Sequence, residues 1–251
     1  MAEWIDGHIH ITPELLPYLG DVRCIANADH PEEYRFLKAT GLPGLVISAG
    51  IHPWKADATQ WEDMEPILQK VDVIGEIGLD SAWCIVDMAL QRQVFRRQLE
   101  LAAARKRPVI LHTKGMERAV LETIRCYPNR YLVHWYSCAD WQQDYIDQGC
   151  WFTVGPDVSK SEAVKMLAER VPPDKILIES DGLEGLAWAH GAEIEPHAYP
   201  GWMEKQLAVI AGLRGETAET LRGQLARNFD AFLSGAGPVR CDMPCGSVSK
   251  P

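Results

Sequence analysis

The chain contains no apolar run approaching the length of a membrane span. Its first residues show no cationic segment followed by an apolar stretch, so neither a transmembrane anchor nor a secretory leader is expected. Positive charge is scarce. The 25 Lys+Arg against 35 Asp+Glu give a formal net charge of −10, which disfavours a protein that coats nucleic acid by counterion release. Any nucleic-acid contact must then be small and local, for instance around a bound cation. A disulfide framework is also missing: seven cysteines is an odd number, and Cys24, Cys84, Cys126, Cys138 and Cys150 are scattered singly. Cys241 and Cys245 form a C-x3-C pair with no second Cys or His pair beside it, so residues 234–251 read as a disordered tail rather than a zinc site. No internal repeat or linker divides the rest, and residues 1–233 are expected to form a single domain. These absences point to a protein of a reducing cytoplasm with no membrane partner and no stable protein partner implied.

What is present is ordinary for a globular chain of 251 residues, 47% hydrophobic and 24% charged, which rules out disorder throughout. Short apolar runs alternate with longer helical patterns, the mark of βα units around a parallel sheet. Eight such runs lie near Ile5–His10, Val22–Ala26, Gly44–Gly50, Val71–Ile77, Pro108–Thr113, Tyr131–Trp135, Cys150–Val154 and Lys175–Glu179. The most regular helical pattern, Met88–Arg107, shows an apolar stripe of Leu90, Val94, Leu99 and Leu101–Ala104 among Arg and Gln. Eight strands in a chain of this length predict an α/β fold of the (β/α)8 TIM-barrel type. An open doubly wound sheet is the main rival, but the strand-to-helix turns lack any G-x-G-x-x-G or G-x-x-x-x-G-K-[ST] loop. Gly182–Trp202 reads as a long loop over the barrel, followed by two closing helices.

The first run, Trp4-Ile5-Asp6-Gly7-His8-Ile9-His10, places Asp6, His8 and His10 on one strand face, and two imidazoles on one face can hold one cation. Other ligand-type residues stand where later runs end: Glu76, His112, His134 and, just after the eighth run, Asp181. Strand ends are where (β/α)8 enzymes carry their chemistry. Taken singly, each has a plain structural explanation as a satisfied polar residue or a turn; five strand ends supplying such a residue by accident is a weaker account. The set can hold two divalent cations with one carboxylate between them.

Asp6-Gly7-His8-Ile9-His10, Gly50-Ile51-His52-Pro53, Gly75-Glu76-Ile77-Gly78-Leu79-Asp80, Pro108-Val109-Ile110-Leu111-His112-Thr113, His134-Trp135-Tyr136-Ser137 and Glu179-Ser180-Asp181 follow the order and approximate spacing of motifs in the TatD family. The chain resembles these metal-dependent hydrolases of the amidohydrolase superfamily, mostly deoxyribonucleases, up to about Phe232. The resemblance implies that His8, His10 and Asp181 bind one metal and His112 and His134 a second, with Glu76 bridging them. It further implies that His52 faces the substrate phosphate and that Asp181 takes a proton from the metal-held water, making Asp181 and Glu76 the catalytic pair. His and carboxylate ligands suit Zn, Mn, Mg, Fe or Ni.

Departures from the family pattern fall around the substrate. Asp181 is followed by Gly182-Leu183-Glu184 where the family commonly has a Pro, and His190-Gly191 stands where many relatives carry Arg-Gly. Ile194-Glu195-Pro196 replaces an N-E-P triplet, Ser81 replaces a frequent Tyr, and Lys114 is the third residue of the H-T-R-like motif. Loss of an arginine weakens phosphate capture, since a guanidinium binds two oxygens at once; Lys114 can still serve as a point charge. The expected activity is phosphodiester hydrolysis of DNA or a short oligonucleotide, with Trp54, Trp83, Trp135 and Trp188 as candidates for base stacking. The alternative is hydrolysis of a small ester, lactone, amide or amine, which an apolar lid of Trp188 and Leu186 over the pocket would mark. A third reading, a non-catalytic module with a structural metal, requires a closed coordination sphere.

Overall fold

Eight short runs of buried residues form the strands β1 (Trp4–Ile9), β2 (Val22–Ala28), β3 (Leu45–Ala49), β4 (Val73–Gly78), β5 (Val109–His112), β6 (Tyr131–Val133), β7 (Trp151–Val154) and β8 (Ile176–Ile178) of a computed structural model, which describes residues 4–235. No residue of β4 through β8 is exposed, as expected where both faces of a parallel sheet are covered. Each strand pairs in parallel with the next in sequence, in the order β1 to β8. Across the remaining seam the Asp181 N–H donates to the His8 carbonyl at 3.2 Å and the Ser180 N–H to the Asp6 carboxylate at 3.0 Å. The sheet therefore closes as the expected barrel, and residues flanking the first and last strands make the closure.

Around it lie α1 (Pro31–Thr40), α2 (Trp61–Leu68), α3 (Met88–Arg105), α4 (Glu117–Ile124), α5 (Gln142–Asp147), α6 (Glu162–Arg170), α7 (Gly182–His190), α8 (Tyr199–Arg214) and α9 (Ala218–Ser234). Helix α3 starts where the Asp87 carboxylate accepts the N–H groups of Ala89 and Leu90, satisfying donors that the first turn leaves open. Its buried face differs from the expected stripe: Gln91, Phe95, Gln98, Leu99 and Ala102 point inward, while Leu90, Val94 and Leu101 are only partly covered. The two glutamines are buried because each grips a loop backbone. Gln98 accepts the Ile51 N–H at 2.6 Å and donates to the Ile51 carbonyl at 3.1 Å; Gln91 does the same for Asp80 at 2.9 and 3.1 Å. On α8, Gln206 donates to the carbonyls of Val154 and Glu179.

The expectation of a long loop over Gly182–Trp202 is corrected. Its first part is helix α7, whose buried Gly182, Gly185, Leu186 and Ala189 recur at helical spacing, and its last residues already belong to α8. Of the tail expected from residue 234, Ser234 is instead the last residue of α9, and residues 236–251, with Cys241 and Cys245, lie outside the described residues. Cys24, Cys84, Cys138 and Cys150 are free thiols; Cys126, expected to stand alone as they do, is not one of them. Among the described residues no helix is long and apolar enough to cross a membrane.

Candidate metal centre

The first ligand-type residues are fixed from below. Fully buried Asp6 accepts the Ser180 N–H at 3.0 Å, the Ser180 hydroxyl at 2.5 Å and the Tyr199 hydroxyl at 2.9 Å, tying β1 to the segment that ends in Asp181. Burial pushes the Asp6 carboxyl up to about 7, against the pull of those donors. Asp181 itself adopts a left-handed backbone (φ 57°), and Gly182 follows at φ 77°, where a Cβ would stand 2.5 Å from the His10 carbonyl oxygen. On the far side Glu76 lies within β4, and the glycines beside it serve close approach rather than a turn. A Cβ on Gly78 would sit 1.8 Å from the His112 carbonyl oxygen.

Glu76 is the centre of the arrangement because its two oxygens face different partners. Oε2 lies 3.4 Å from His8 Nε2 and 3.8 Å from His10 Nε2, and both of these nitrogens are within 3.7 Å of Asp181 Oδ1. Oε1 lies 2.6 Å from His112 Nδ1, 2.5 Å from His134 Nε2 and 3.5 Å from His52 Nε2. The structure thus brings His8, His10, Glu76, His112, His134 and Asp181 to one place, in two groups that share one carboxylate, and adds His52 to the second.

Burial opposes charge throughout this cluster, yet the groups stabilise one another's ionised forms. The Glu76 carboxyl is held well below its usual range: desolvation would raise it, but the imidazoles of His134, His52 and His112 prevail. Asp181 is lowered in the same way by His8 and His10. His134 is pushed up to about 10, since Glu76 and Glu179 overcome the cost of burying its charge. His10 rises well above its ordinary value through Glu33, Glu76 and Asp181, again against desolvation, and His8 rises likewise through Asp181 and Glu76. Ionised carboxylates facing these rings favour positive charge here, and a cation would take that place by displacing the protons the ring nitrogens otherwise hold.

Divalent cations fit this donor set. Neither ring nitrogen of fully buried His8 has a hydrogen-bond partner, and a metal at Nε2, the nitrogen facing Glu76 and Asp181, would remove the cost of one of the two. The nitrogens of His112 and His134 approach to 3.3 Å around the single oxygen Glu76 Oε1, a convergence that a common cation explains. Among the described residues four His/carboxylate groups offer ligand atoms that lie within 4.8 Å of one another: three lie in this cluster (His8, His10 and Glu76; His8, His134 and Asp181; His52, Glu76 and His112), and the fourth, Asp29, His30 and Glu33, stands at the start of α1.

Asp80, which carried no role in the sequence reading, orients the second group. Its Oδ2 accepts from His112 Nε2 at 3.0 Å and from the Trp54 indole at 2.7 Å, while Oδ1 accepts the N–H groups of Ala82 and Trp83. Desolvation would raise its pKa, but these bonds lower it, so the carboxylate stays ionised and leaves His112 Nδ1 free for a cation. The sequence held the signal only as the final residue of Gly78-Leu79-Asp80. Asp80→Asn is expected to weaken binding of the cation at His112 by about 10–100-fold, with turnover recovering at high metal concentration. Titrating activity against metal checks this; an unchanged midpoint removes Asp80 from the centre.

His52 is set differently. Its Nδ1 accepts the Trp54 N–H at 3.2 Å, so in the neutral ring, which burial favours, Nε2 carries the proton and faces Glu76 as a donor. Lys114 also borders the site, but its ammonium donates to the Trp135 carbonyl at 2.9 Å and the Ser137 hydroxyl at 2.8 Å, leaving one N–H of three. Burial lowers its pKa, while nearby carboxylates led by Asp157 act the other way.

The cluster opens into a cavity of about 670 Å³ lined by, among others, His10, Trp54, Lys114, Asp181, Trp83 and Trp188. Trp135 is not available for stacking, which corrects that expectation: it is 6% exposed, its indole N–H donates to Asp157 at 2.6 Å, and its ring fills the space where Gly155 has no side chain. Leu186 and Trp188 do not form the expected apolar lid, because Leu186 is on the buried face of α7 and Trp188 stands 62% exposed beside the cavity.

Residues 22–234 match a family model described as TatD related DNase. Among curated proteins the chain is 24% identical over 200 residues to the human 3'-5' RNA nuclease TATDN2, covering 74% of this chain and 26% of that protein. It is 28% identical over 148 residues to the 3'-5' ssDNA/RNA exonuclease TatD of Edwardsiella piscicida, covering 53% and 56%. The chain therefore spans between about a quarter and somewhat over half of the length of these relatives. In fold it is similar to the Escherichia coli TatD homologue YJJV, with a TM-score of 0.75 at 22% identity, over 92% of this chain and 98% of that one.

Proposed function

From the premise that this chain belongs to the TatD related DNase family, we propose that it is a metal-dependent nuclease that hydrolyses phosphodiester bonds of single-stranded DNA or RNA from the 3' end. The observation that carries this reading is the division of Glu76 between two groups of ring nitrogens at the floor of an open cavity. His8, His10 and Asp181 would hold one cation and His112 and His134 a second, with the Glu76 carboxylate shared between the two groups. Residues 1–233 act as one catalytic domain, and Zn, Mn, Mg, Fe and Ni all suit the ligands.

When bound, such cations polarise a phosphoryl oxygen and acidify water, bringing its pKa towards about 7. The remaining work falls to side chains. Asp181, kept ionised by His8 and His10, accepts the proton of the water whose oxygen attacks phosphorus, and can return it to the oxygen released as the P–O bond breaks. His52 donates from Nε2 to a phosphoryl oxygen, and the remaining N–H of Lys114 supplies positive charge at the wall. Two single donors thereby serve where one bidentate guanidinium would otherwise act. Hydrolysis of a small carbon substrate finds no apolar lid here.

The test is incubation of end-labelled single-stranded and duplex DNA and single-stranded RNA with Mg, Mn or Zn. Stepwise shortening from the 3' end, faster on single strands and abolished by a chelator, is the expected outcome. No turnover of any of these polymers with any of the metals would refute the nuclease.

A further inference from the structure

Large apolar side chains are usually hidden, and three of the exposed ones border the same cavity. Trp54, Trp83 and Trp188 are 46%, 54% and 62% exposed. Two of them are held firmly. Trp83 has its backbone N–H bonded to Asp80 Oδ1 at 2.8 Å, and so is anchored to the carboxylate that orients His112. Trp188 sits on α7, the helix that begins immediately after Asp181, with Leu186 and Ala189 buried beneath it. Its ring packs at steep angles against two others, Trp135 at 5.3 Å and 82° and Trp83 at 5.9 Å and 64°. Contacts of this kind brace an indole without covering it as a parallel stack would. Lys114 Nζ lies 5.7 Å from the centre of Trp83 and 5.5 Å from that of Trp135, so positive charge adjoins the aromatic surface. The platform and the cation cluster are thus joined rigidly through Asp80 and Asp181.

A flat, uncharged π-system carrying an anionic group fits such a wall. Resting on the nuclease reading above, we propose that Trp83 and Trp188 form a stacking subsite for the nucleobase adjoining the scissile phosphate. A base can reach these rings only after leaving its own stack, so the subsite selects single strands and frayed ends over intact duplex. It accepts any base, because each presents a π-face, and it compensates for the sparse positive charge around the phosphate.

The experiment compares binding of a fluorescent, phosphorothioate-linked thymidine oligonucleotide with that of the same backbone lacking bases, to the wild-type protein and to Trp83→Ala, Trp188→Ala and Trp188→Phe. Each alanine variant is expected to bind the base-bearing strand about tenfold or more weakly, with the abasic strand unaffected, and Trp188→Phe to restore most of the loss. Trp141→Ala, an exposed indole outside the cavity lining, controls for general loss of aromatic surface. Unchanged binding in the alanine variants, equal losses on the two strands, or an equal loss in Trp141→Ala would overturn the subsite. Base-dependent binding that needs Trp83 and Trp188 in a protein that cleaves no nucleic acid refutes the nuclease and keeps the subsite. Cleavage of single strands by variants indistinguishable from wild type refutes the subsite alone.

Discussion

Glu76→Gln is expected to lose roughly 10³-fold or more of its turnover with the barrel intact, well beyond the about 10–100-fold cost of changing a residue behind a ligand. The amide has nearly the shape of the carboxylate, so packing around β4 is kept. Its chemistry fails at both ends. One end becomes an NH2, a donor with no lone pair to give a cation, and the other keeps only an uncharged oxygen, where now one carboxylate oxygen lies 2.6 and 2.5 Å from the ring nitrogens of His112 and His134. Since both groups share this side chain, both cations are weakened together. Elemental analysis of bound metal, single-strand turnover at saturating Mn and circular dichroism check the prediction. A variant that retains a full complement of metal would show that Glu76 does not join the two groups.

Asp181→Asn is expected to abolish turnover nearly as completely, by about 10²–10⁴-fold, through a different step. An amide oxygen can still face His8 and His10, so part of the cation affinity survives, but it cannot take a proton at neutral pH. The two substitutions separate on titration: added metal leaves the Asp181→Asn rate low because the missing function is proton acceptance. Circular dichroism and a metal titration of the rate measure this, and wild-type-like rates would remove Asp181 from the mechanism. Its left-handed backbone and the N–H bond to the His8 carbonyl are untouched by the change, so the fold should hold.

The barrel was legible because parallel strands covered on both faces read as apolar runs, and because strand ends in this architecture share one mouth. That geometry brings His8, Glu76, His112 and Asp181 together from positions far apart in the chain. Helix α7 escaped notice because its buried face is built of Gly, Leu, Gly and Ala, whose small side chains give a faint periodic signal in a stretch rich in turn formers. Trp135 looked like its exposed neighbours; its burial depends on Gly155 and Asp157, which belong to another strand-helix connection. Asp80 was visible as a letter but its duty was not, since that is defined by partners 26 and 32 residues away. In α3 the polar positions 91 and 98, two turns apart, interrupt the apolar stripe; only the loops they hold explain them.

Those amide arms grip main chain, never the side chains of the loops they restrain. Main-chain groups are common to nearly all amino acids, so the residues surrounding His52 and Asp80 can be exchanged over evolutionary time without disturbing where these two stand. Trp54 and Trp83, which themselves bond to Asp80, are the exceptions, so base stacking stays tied to the reactive centre while the rest of these loops can vary. Laboratory diversification of the loops after β3 and β4 has a scaffold that tolerates it.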